Sequence, residues 1–301
     1  MRFISIGDLV LDYYFKNNNL LGIDGGISVH NVVANLSHKG MKTSAIGACG
    51  DDKKGDLCIR SLKDLKVDTS LIKKYPQVKT RSIYISFIDD SFTSKRKCPI
   101  CEKRKWYDEL LIDKKYVLDN ISKNDILIFA SINETNKDIL NSCQNKAVID
   151  LGHKNEFEKY SDEYIIDFFK RRFEIININE KVYNYFKDRF NDKKLFNSKL
   201  ITITRGKKGA DFIYNNKIIK KKLTPTKEID SNGAGDAFFS SIIYDYFNDD
   251  FSIDKAFNNA TKLTSIVVSS LGARGHLHDI YKIEKIDNKC ICTDFKIKRG
   301  E

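Results

Sequence analysis

Short apolar runs separated by stretches of helical spacing recur along almost the whole chain. This alternation constrains the fold more than any other feature. Phe3–Ile6, Thr43–Ala48, Ile126–Ala130, Val148–Asp150, Glu174–Ile178 and Leu200–Thr204 read as strands, and the runs at 126–130 and 148–150 as strands buried on both faces. Ser28–His38 has helical spacing and stops at Gly40; Asp56–Leu65, Ala234–Phe247 and Ile253–Ser270 also read as helices. An order of strand, helix, strand, helix specifies one doubly wound domain around a mostly parallel sheet. Ala210–Tyr214 and Lys217–Lys222, split by Asn215 and Asn216, form a hairpin. Two segments break the alternation, near 13–21 and 78–92. In the second, Ile83, Ile85 and Phe87 alternate with Ser82, Tyr84 and Ser86, as in a half-exposed strand. These segments are candidates for a small covering sheet.

Composition narrows the function classes. With 301 residues, 41% of them hydrophobic, and 14 Tyr and 19 Phe, the chain can bury a large core and is not disordered. No apolar run approaches the roughly 18 residues of a membrane span, and Asp8 interrupts the first run before it could act as a signal peptide. A cytoplasmic protein is expected. The net charge of +11 comes mostly from Lys scattered along an Asn- and Ile-rich chain. It reads as a solvated surface, so no nucleic-acid or membrane partner is expected.

The stretch most informative for chemistry is Asp230-Ser231-Asn232-Gly233-Ala234-Gly235-Asp236-Ala237-Phe238, which opens an apolar helix. Small residues there let backbone N–H groups approach an anion, and the helix dipole adds roughly half a positive charge. Asp236, in the first turn, is placed to accept the proton of a hydroxyl beside a phosphoryl group. The alternative is a Gly-rich turn followed by an ordinary first-turn carboxylate. Neither the Gly-x-x-x-x-Gly-Lys-Ser/Thr loop nor a dinucleotide fingerprint occurs here.

With Asp230 and Phe238 flanking it, this stretch resembles the signature of the ribokinase-like (PfkB) family of carbohydrate kinases. Other segments match in the family's order, over roughly residues 3 to 275. They are Gly7 with Asp12; Gly25 and Gly26 with Asn31 and Gly40; Gly47, Gly50, Asp52, Gly55 and Asp56; Asn177 with Glu180; Thr204, Gly206 and Gly209; Asn259 with Ala260; and Gly272 with Ala273. The resemblance implies a three-layer α/β/α core, doubly wound around a mostly parallel sheet, with a small β-sheet lid. It implies ATP- and Mg²⁺-dependent phosphorylation of a hydroxymethyl group on a sugar or nucleoside. Asp236 would be the base, and the amides of Gly233, Ala234 and Gly235 the anion hole. Asp12, Gly25, Gly26 and Asn31 would hold the acceptor. Asn177 and Glu180 would act near Mg²⁺ and the phosphates, and Thr204, Gly206, Gly209 and Asn259 would border the nucleotide. Asp230, with the Gly272–Ala273 backbone, would help hold a monovalent cation. A homodimer formed through the lid is a further implication. Outside the motifs, Asp12 also reads as a solvated turn residue, Asn31 as a helix cap and Glu180 as an ordinary surface carboxylate.

The sequence departs from the family pattern at several points. The spacing from the Gly pair to Asn31 is one residue long, so His30 or Asn31 faces the acceptor, and the run to Gly40 favours Asn31. Val10 and Ile27 stand where ribokinases proper carry polar residues, which argues against free ribose and for a larger, partly apolar acceptor such as a nucleoside. Asp150-Leu-Gly-His153-Lys154 replaces an Asp-x-Asn-x-Arg stretch, and Lys154 would act only as a point charge. Asn232 occupies a variable position of the signature. A non-catalytic relative is the alternative from another class, with the basic insertion at 95–105 docking a partner or nucleic acid.

The seven cysteines include two clusters, Cys98-Pro-Ile-Cys101 and Cys290-Ile-Cys292. The first lies between basic residues and resembles half of a zinc knuckle; the second, in a C-terminal extension over 281–301, would complete a four-thiolate zinc site. Disulfide or redox pairing and unrelated free thiols remain open. Cys49, Cys58 and Cys143 sit in apolar contexts and read as core. His276 and His278 read as surface-loop residues, with metal ligation as the alternative. The extension alternates as an added strand over roughly 281–297.

Overall fold

The computed structural model describes residues 1–17, 19–88, 91–103, 112–152, 157–190, 195–223, 230–248, 250–285 and 289–298. Residues 89–90 of the expected lid, 104–105 of the basic insertion, and His153 and Lys154 lie outside the described residues.

The central sheet is built from β1 (Phe3–Ile6), β4 (Thr43–Gly50), β5 (Ile72–Tyr75), β8 (Ile126–Phe129), β9 (Lys146–Leu151), β10 (Phe173–Asn179), β11 (Ser198–Thr204), β12 (Ala210–Tyr214) and β13 (Lys217–Lys221). Their order is β13-β12-β11-β10-β9-β8-β1-β4-β5. All pairs from β5 to β11 are parallel, and the β12–β13 hairpin extends one edge antiparallel. The chain winds outward from β1 in both directions, so a topological switch lies beside it. In open α/β sheets, ligands bind outside the carboxyl ends of the strands at such a point.

The period-2 alternation of the strands sends their side chains into two cores. Ile4, Ile6, Leu127, Phe129, Ile149 and Ile176 pack on one side against α3 (Lys114–Asn120), α4 (Glu134–Ser142), α5 (Asp162–Lys170) and α6 (Glu180–Phe190). Phe3, Ile128, Val148, Ile175 and Leu200 pack on the other against α1 (Ser28–His38), α7 (Ala234–Phe247) and α8 (Ile253–Val268). The three layers agree with the resemblance. Among the described residues, no helix is long and apolar enough to cross a membrane.

The segments that broke the alternation form a second sheet, of order β3-β2-β6-β7, from β2 (Val10–Lys16), β3 (Asn19–Gly25), β6 (Arg81–Ile88) and β7 (Ser91–Lys95). It begins at Val10, earlier than the expected segment near 13–21, because β2 follows β1 with only a short connection. The C-terminal alternation resolves into two short antiparallel strands, β14 (Ile283–Lys285) and β15 (Phe295–Ile297), rather than one added strand.

The Gly50–Asp56 motif serves the scaffold. Helix α2 (Lys53–Asp64) begins earlier than the expected Asp56 because Asp52 caps it, accepting from Gly55 N–H at 3.0 Å. The same carboxylate accepts from the Thr80 hydroxyl at 2.7 Å and the Thr80 N–H at 3.0 Å, and Thr80 Oγ1 accepts from Gly50 N–H. A Cβ on Gly55 would lie 2.3 Å from Gly50 O. Thr80→Ala leaves buried partners unsatisfied and is expected to lower unfolding free energy by about 1–3 kcal/mol, read as an earlier urea midpoint at unchanged slope.

Candidate active site

The start of α7 faces the lid across the switch point. Gly233 adopts φ +80° just before the helix, and a Cβ there would lie 2.7 Å from Ala273. A Cβ on Gly235 would meet open space, so the backbone is accessible at that point. The Asp230 carboxylate ties this turn to the 272–273 loop, accepting from Asn232 N–H and Gly272 N–H, each at 2.8 Å. Ala234 donates its N–H to Ser231 O at 3.2 Å.

Asp236 is buried in the first turn and accepts from Asn31 Nδ2 at 2.7 Å. On α1 it is therefore Asn31, and not His30, that meets Asp236. His30 lies at the sheet, donating from Nε2 to Gly7 O and accepting the Ser5 hydroxyl at Nδ1, each at 2.9 Å. A carbonyl can only accept, which fixes this tautomer. Burial, aided by the Arg274 charge, lowers the His30 pKa to about 3, so the ring stays neutral.

One guanidinium organises the cluster beside Asp236. Arg274 is 1% exposed and donates to Asn31 Oδ1 at 2.9 Å, Ser61 Oγ at 2.8 Å and Gly26 O at 3.1 Å. Gly25 and Gly26 follow from close approach: a Cβ on Gly25 would lie 2.6 Å from the Arg274 guanidinium, and one on Gly26 would lie 2.3 Å from Asp12 Oδ2. Asp12 and Tyr14 share the inner face of β2, with the Tyr14 hydroxyl donating to Asp12 at 3.4 Å. Asp24 accepts from Ser61 Oγ at 2.7 Å and pairs with His278 at 3.0 Å.

Burial raises the Asp12 pKa to about 7; Arg274 opposes the rise, while Asp24 and Asp236 add to it. Between about pH 4 and pH 7 the folded protein therefore holds a proton that the unfolded chain has released, and stability falls as pH rises through that window. Asp12→Asn is expected to raise Tm at about pH 8 by a few degrees, on the order of 1 kcal/mol, with little change at about pH 4. Thermal melts at the two pH values check this.

The other wall lies at the carboxyl ends of β9, β10 and β11. Asn177 donates to Asp150 at 2.7 Å and accepts from Thr202 Oγ1 at 2.5 Å. Burial first, then the Asp236 charge, raise the Asp150 pKa to about 7, while the Asn177 bond lowers it. Glu180 opens α6 and pairs with Arg205 at 3.5 Å. Gly206 and Gly209 both have positive φ, and a Cβ on Gly209 would lie 2.0 Å from Lys221 O. Thr204 Oγ1 donates to Ile178 O at 3.5 Å.

Against known proteins, the family profile described as "pfkB family carbohydrate kinase" matches residues 188–280. The 5-dehydro-2-deoxygluconokinase of Mesomycoplasma hyopneumoniae strain J is 26% identical over 97% of this chain and 94% of its own. The crystal structure of an uncharacterized sugar kinase from Pyrococcus horikoshii, in complex with ATP, superposes with TM-score 0.75 at 20% identity, covering 90% of this chain and 93% of that one. A nucleoside kinase of Methanocaldococcus jannaschii gives 0.72 at 17% identity, over 91% and 94%. Residues 188–280 match the pfkB carbohydrate-kinase profile, and the chain as a whole is similar in sequence to a sugar kinase and in fold to the ribokinase-like kinases.

Within the site the expected residues fall into three groups. Asp12, Gly25, Gly26, Asn31 and Asp236 converge around Arg274. Asn177, Glu180, Thr204, Gly206 and Gly209 lie at the ends of neighbouring strands β10 and β11. Asn259 lies on α8, where it donates to both Asp245 carboxylate oxygens at 3.0 and 3.1 Å, a bond between helices. The histidines depart from the surface-loop expectation. His276 is partly buried, donates to Asn35 Oδ1 at 2.8 Å, and is held near pKa 4 chiefly by burial; His278 is held by Asp24. Cys49 and Cys58 are core as expected, while Cys143 is only partly buried beside it.

Sequence reasoning missed Arg274, Ser61 and Asp24, and treated Asp150 only as a departure from a motif. Arg274 carries one local signal. It follows Gly272-Ala273, so an obligate charge stands directly after the small residues of the site.

Proposed function

We propose that this protein transfers the γ-phosphoryl group of ATP to a hydroxyl of a small carbohydrate-like acceptor, with Asp236 as general base. The observation that carries this is the Asp236 carboxylate at the open start of α7, joined through Asn31 to the Arg274–Asp12–Gly26 cluster. An acceptor held by Asp12, Asn31 and the Gly25–Gly26 backbone presents its hydroxyl to Asp236. The carboxylate takes the proton as the hydroxyl oxygen bonds to phosphorus and ADP leaves. The helix dipole and the amides of residues 233–235 stabilise charge on the transferring group, with the Gly235 backbone the most open to it.

The nucleotide side falls to Asn177, Glu180, Thr204, Gly206 and Gly209. Asp150, Asn177 and Glu180 carry oxygen donors of the kind that would hold Mg²⁺, which would supply charge neutralisation at the phosphates. Asp230 already accepts two backbone N–H groups. In a monovalent-cation site its part would be to order the 272–273 loop.

The sequence relationship to a 5-dehydro-2-deoxygluconokinase makes a six-carbon sugar acid the first acceptor to test. A second reading, a nucleoside acceptor, rests on Val10, which shares the β2 face of Asp12, and on Ile27 beside the glycine pair. The test is ADP release over a panel of sugar acids, ketohexoses, pentoses and nucleosides. Turnover on a sugar acid or ketohexose supports the first reading, and turnover confined to nucleosides replaces it with the second. No phosphorylated product from any member, with ATP still bound, would overturn both and favour a sensor.

A further inference from the structure

Four cysteines from two distant segments of the sequence meet on the outer side of the lid, away from Asp236. Cys98 lies 3.5 Å from Cys290 and Cys101 lies 3.4 Å from Cys292, sulfur to sulfur, and all four sulfurs fall within 4.8 Å of one another. A tetrahedron of thiolates with Zn–S bonds of about 2.3 Å has edges of about 3.8 Å. The observed separations bracket that value and exceed the roughly 2.05 Å of a disulfide.

The backbone around them is built to hold thiolate sulfur. Cys98 starts a tight turn in which Glu102 donates its N–H to Cys98 O at 2.8 Å and takes φ +55°. The backbone N–H groups of Ile100 and Cys101 lie on the side of the Cys98 sulfur, and that of Lys103 on the side of the Cys101 sulfur. On the other side, Cys290 O accepts from the N–H groups of Thr293 and Asp294, which curls Cys290 and Cys292 toward the same point.

A separate observation concerns charge. Lys54 is 7% exposed, donates to Ser82 Oγ at 3.0 Å, and lies within electrostatic reach of Cys98 and Cys292. Four thiolates around a divalent ion carry two negative charges in all, and a buried ammonium beside them offsets part of that.

We propose that Cys98, Cys101, Cys290 and Cys292 bind one Zn²⁺ ion that braces the C-terminal segment against the outer face of the lid. Four thiols lose four protons to solvent, four Zn–S bonds form, and nothing is oxidised or reduced. The brace reaches the strand that carries Asp12. Leu11, Tyr13 and Phe15 on the outer face of β2 share a core with Cys98, Ile291, Cys292 and Phe295. The Tyr13 hydroxyl donates to Ile291 O at 3.2 Å, and its ring stacks on Tyr84 and meets Phe295 edge-on.

The test uses the full chain purified in reducing buffer. One zinc per chain is expected by plasma mass spectrometry, retained through gel filtration and released on titration with a mercurial. Cobalt in its place should give the visible bands and sulfur-to-cobalt charge transfer of a tetrahedral four-thiolate site. Metal removal should speed hydrogen exchange in residues 290–298 and 10–16 together. Cys290→Ser/Cys292→Ser should lose the metal, and Cys143→Ser should keep it. If the double variant does not fold, the cobalt spectrum of the unaltered chain decides. The proposal is overturned if the reduced chain takes up no zinc when zinc chloride is supplied. It also fails if cobalt shows fewer than four sulfur ligands, or if thiol trapping at lysis finds Cys98–Cys290 or Cys101–Cys292 as disulfides. None of these readouts depends on the acceptor or on catalysis.

Discussion

Asp236→Asn is expected to lower kcat by about 10²- to 10⁴-fold while leaving ATP affinity within about threefold of the original. The substitution keeps the shape of the side chain and removes its capacity to take a proton. An amide oxygen can still accept from Asn31 Nδ2, as the carboxylate does at 2.7 Å, so the α1–α7 contact survives. Asp236 lies in the first turn of α7, where a negative charge is favourable to the helix; removing it costs at most about 1 kcal/mol of stability. Steady-state rates with a saturating acceptor, beside nucleotide titrations, separate the two quantities. Full turnover in this variant would remove Asp236 from the role of base.

Arg274→Ala is expected to have the largest effect on folding, about 3–5 kcal/mol. The guanidinium is buried among Asn31, Ser61 and Gly26 O, and its charge acts against the raised pKa of Asp12. Deleting it opens a cavity, leaves three acceptors without their donor and removes the compensating charge from the carboxylate cluster. Arg274→Lys keeps the charge but replaces a planar donor fork with a point donor, so an intermediate loss is expected. The folded fraction of the lysine variant separates positioning from stability. Because Arg274 lowers the Asp12 pKa, weakening that contact should move the acid limb of kcat/KM toward higher pH. A purely structural role would lower the amount of active enzyme and leave the pH profile in place. Chemical denaturation and a pH–rate profile check the two halves of this prediction.

The legibility of the fold followed from length of pattern. Helix α1 lies over Ser28–His38 as its spacing required, and the β12–β13 hairpin turns at Asn215 and Asn216, both at positive φ. The lid was visible only as a failure of alternation, because its strands come from separated segments and pair only after the chain has turned back. Within the site, the small residues were readable because backbone approach tolerates so few side chains. Gly26 against Asp12 and Gly233 against Ala273 are such places. Arg274 was harder to foresee, since a lone Arg after Gly-Ala has no periodicity and is ordinarily a surface residue.

Sequence pattern alone specified the layers, the small-residue turn at 230–235 and a carboxylate in the first turn of the helix it opens. These follow from local rules: period 2 against period 3.6, glycine where a Cβ would collide, and a carboxylate in a first helical turn. Which partners meet was settled by packing. It chose Asn31 over His30 by the rotation of one helix against β1. It buried Arg274 among Asp12, Asn31 and Ser61, from segments about 200 residues apart or more. It also brought Cys98 and Cys101 to Cys290 and Cys292 across 191 and 192 residues. Such meetings depend on how whole layers pack and on which charges burial forces together, and no short window of sequence contains that information.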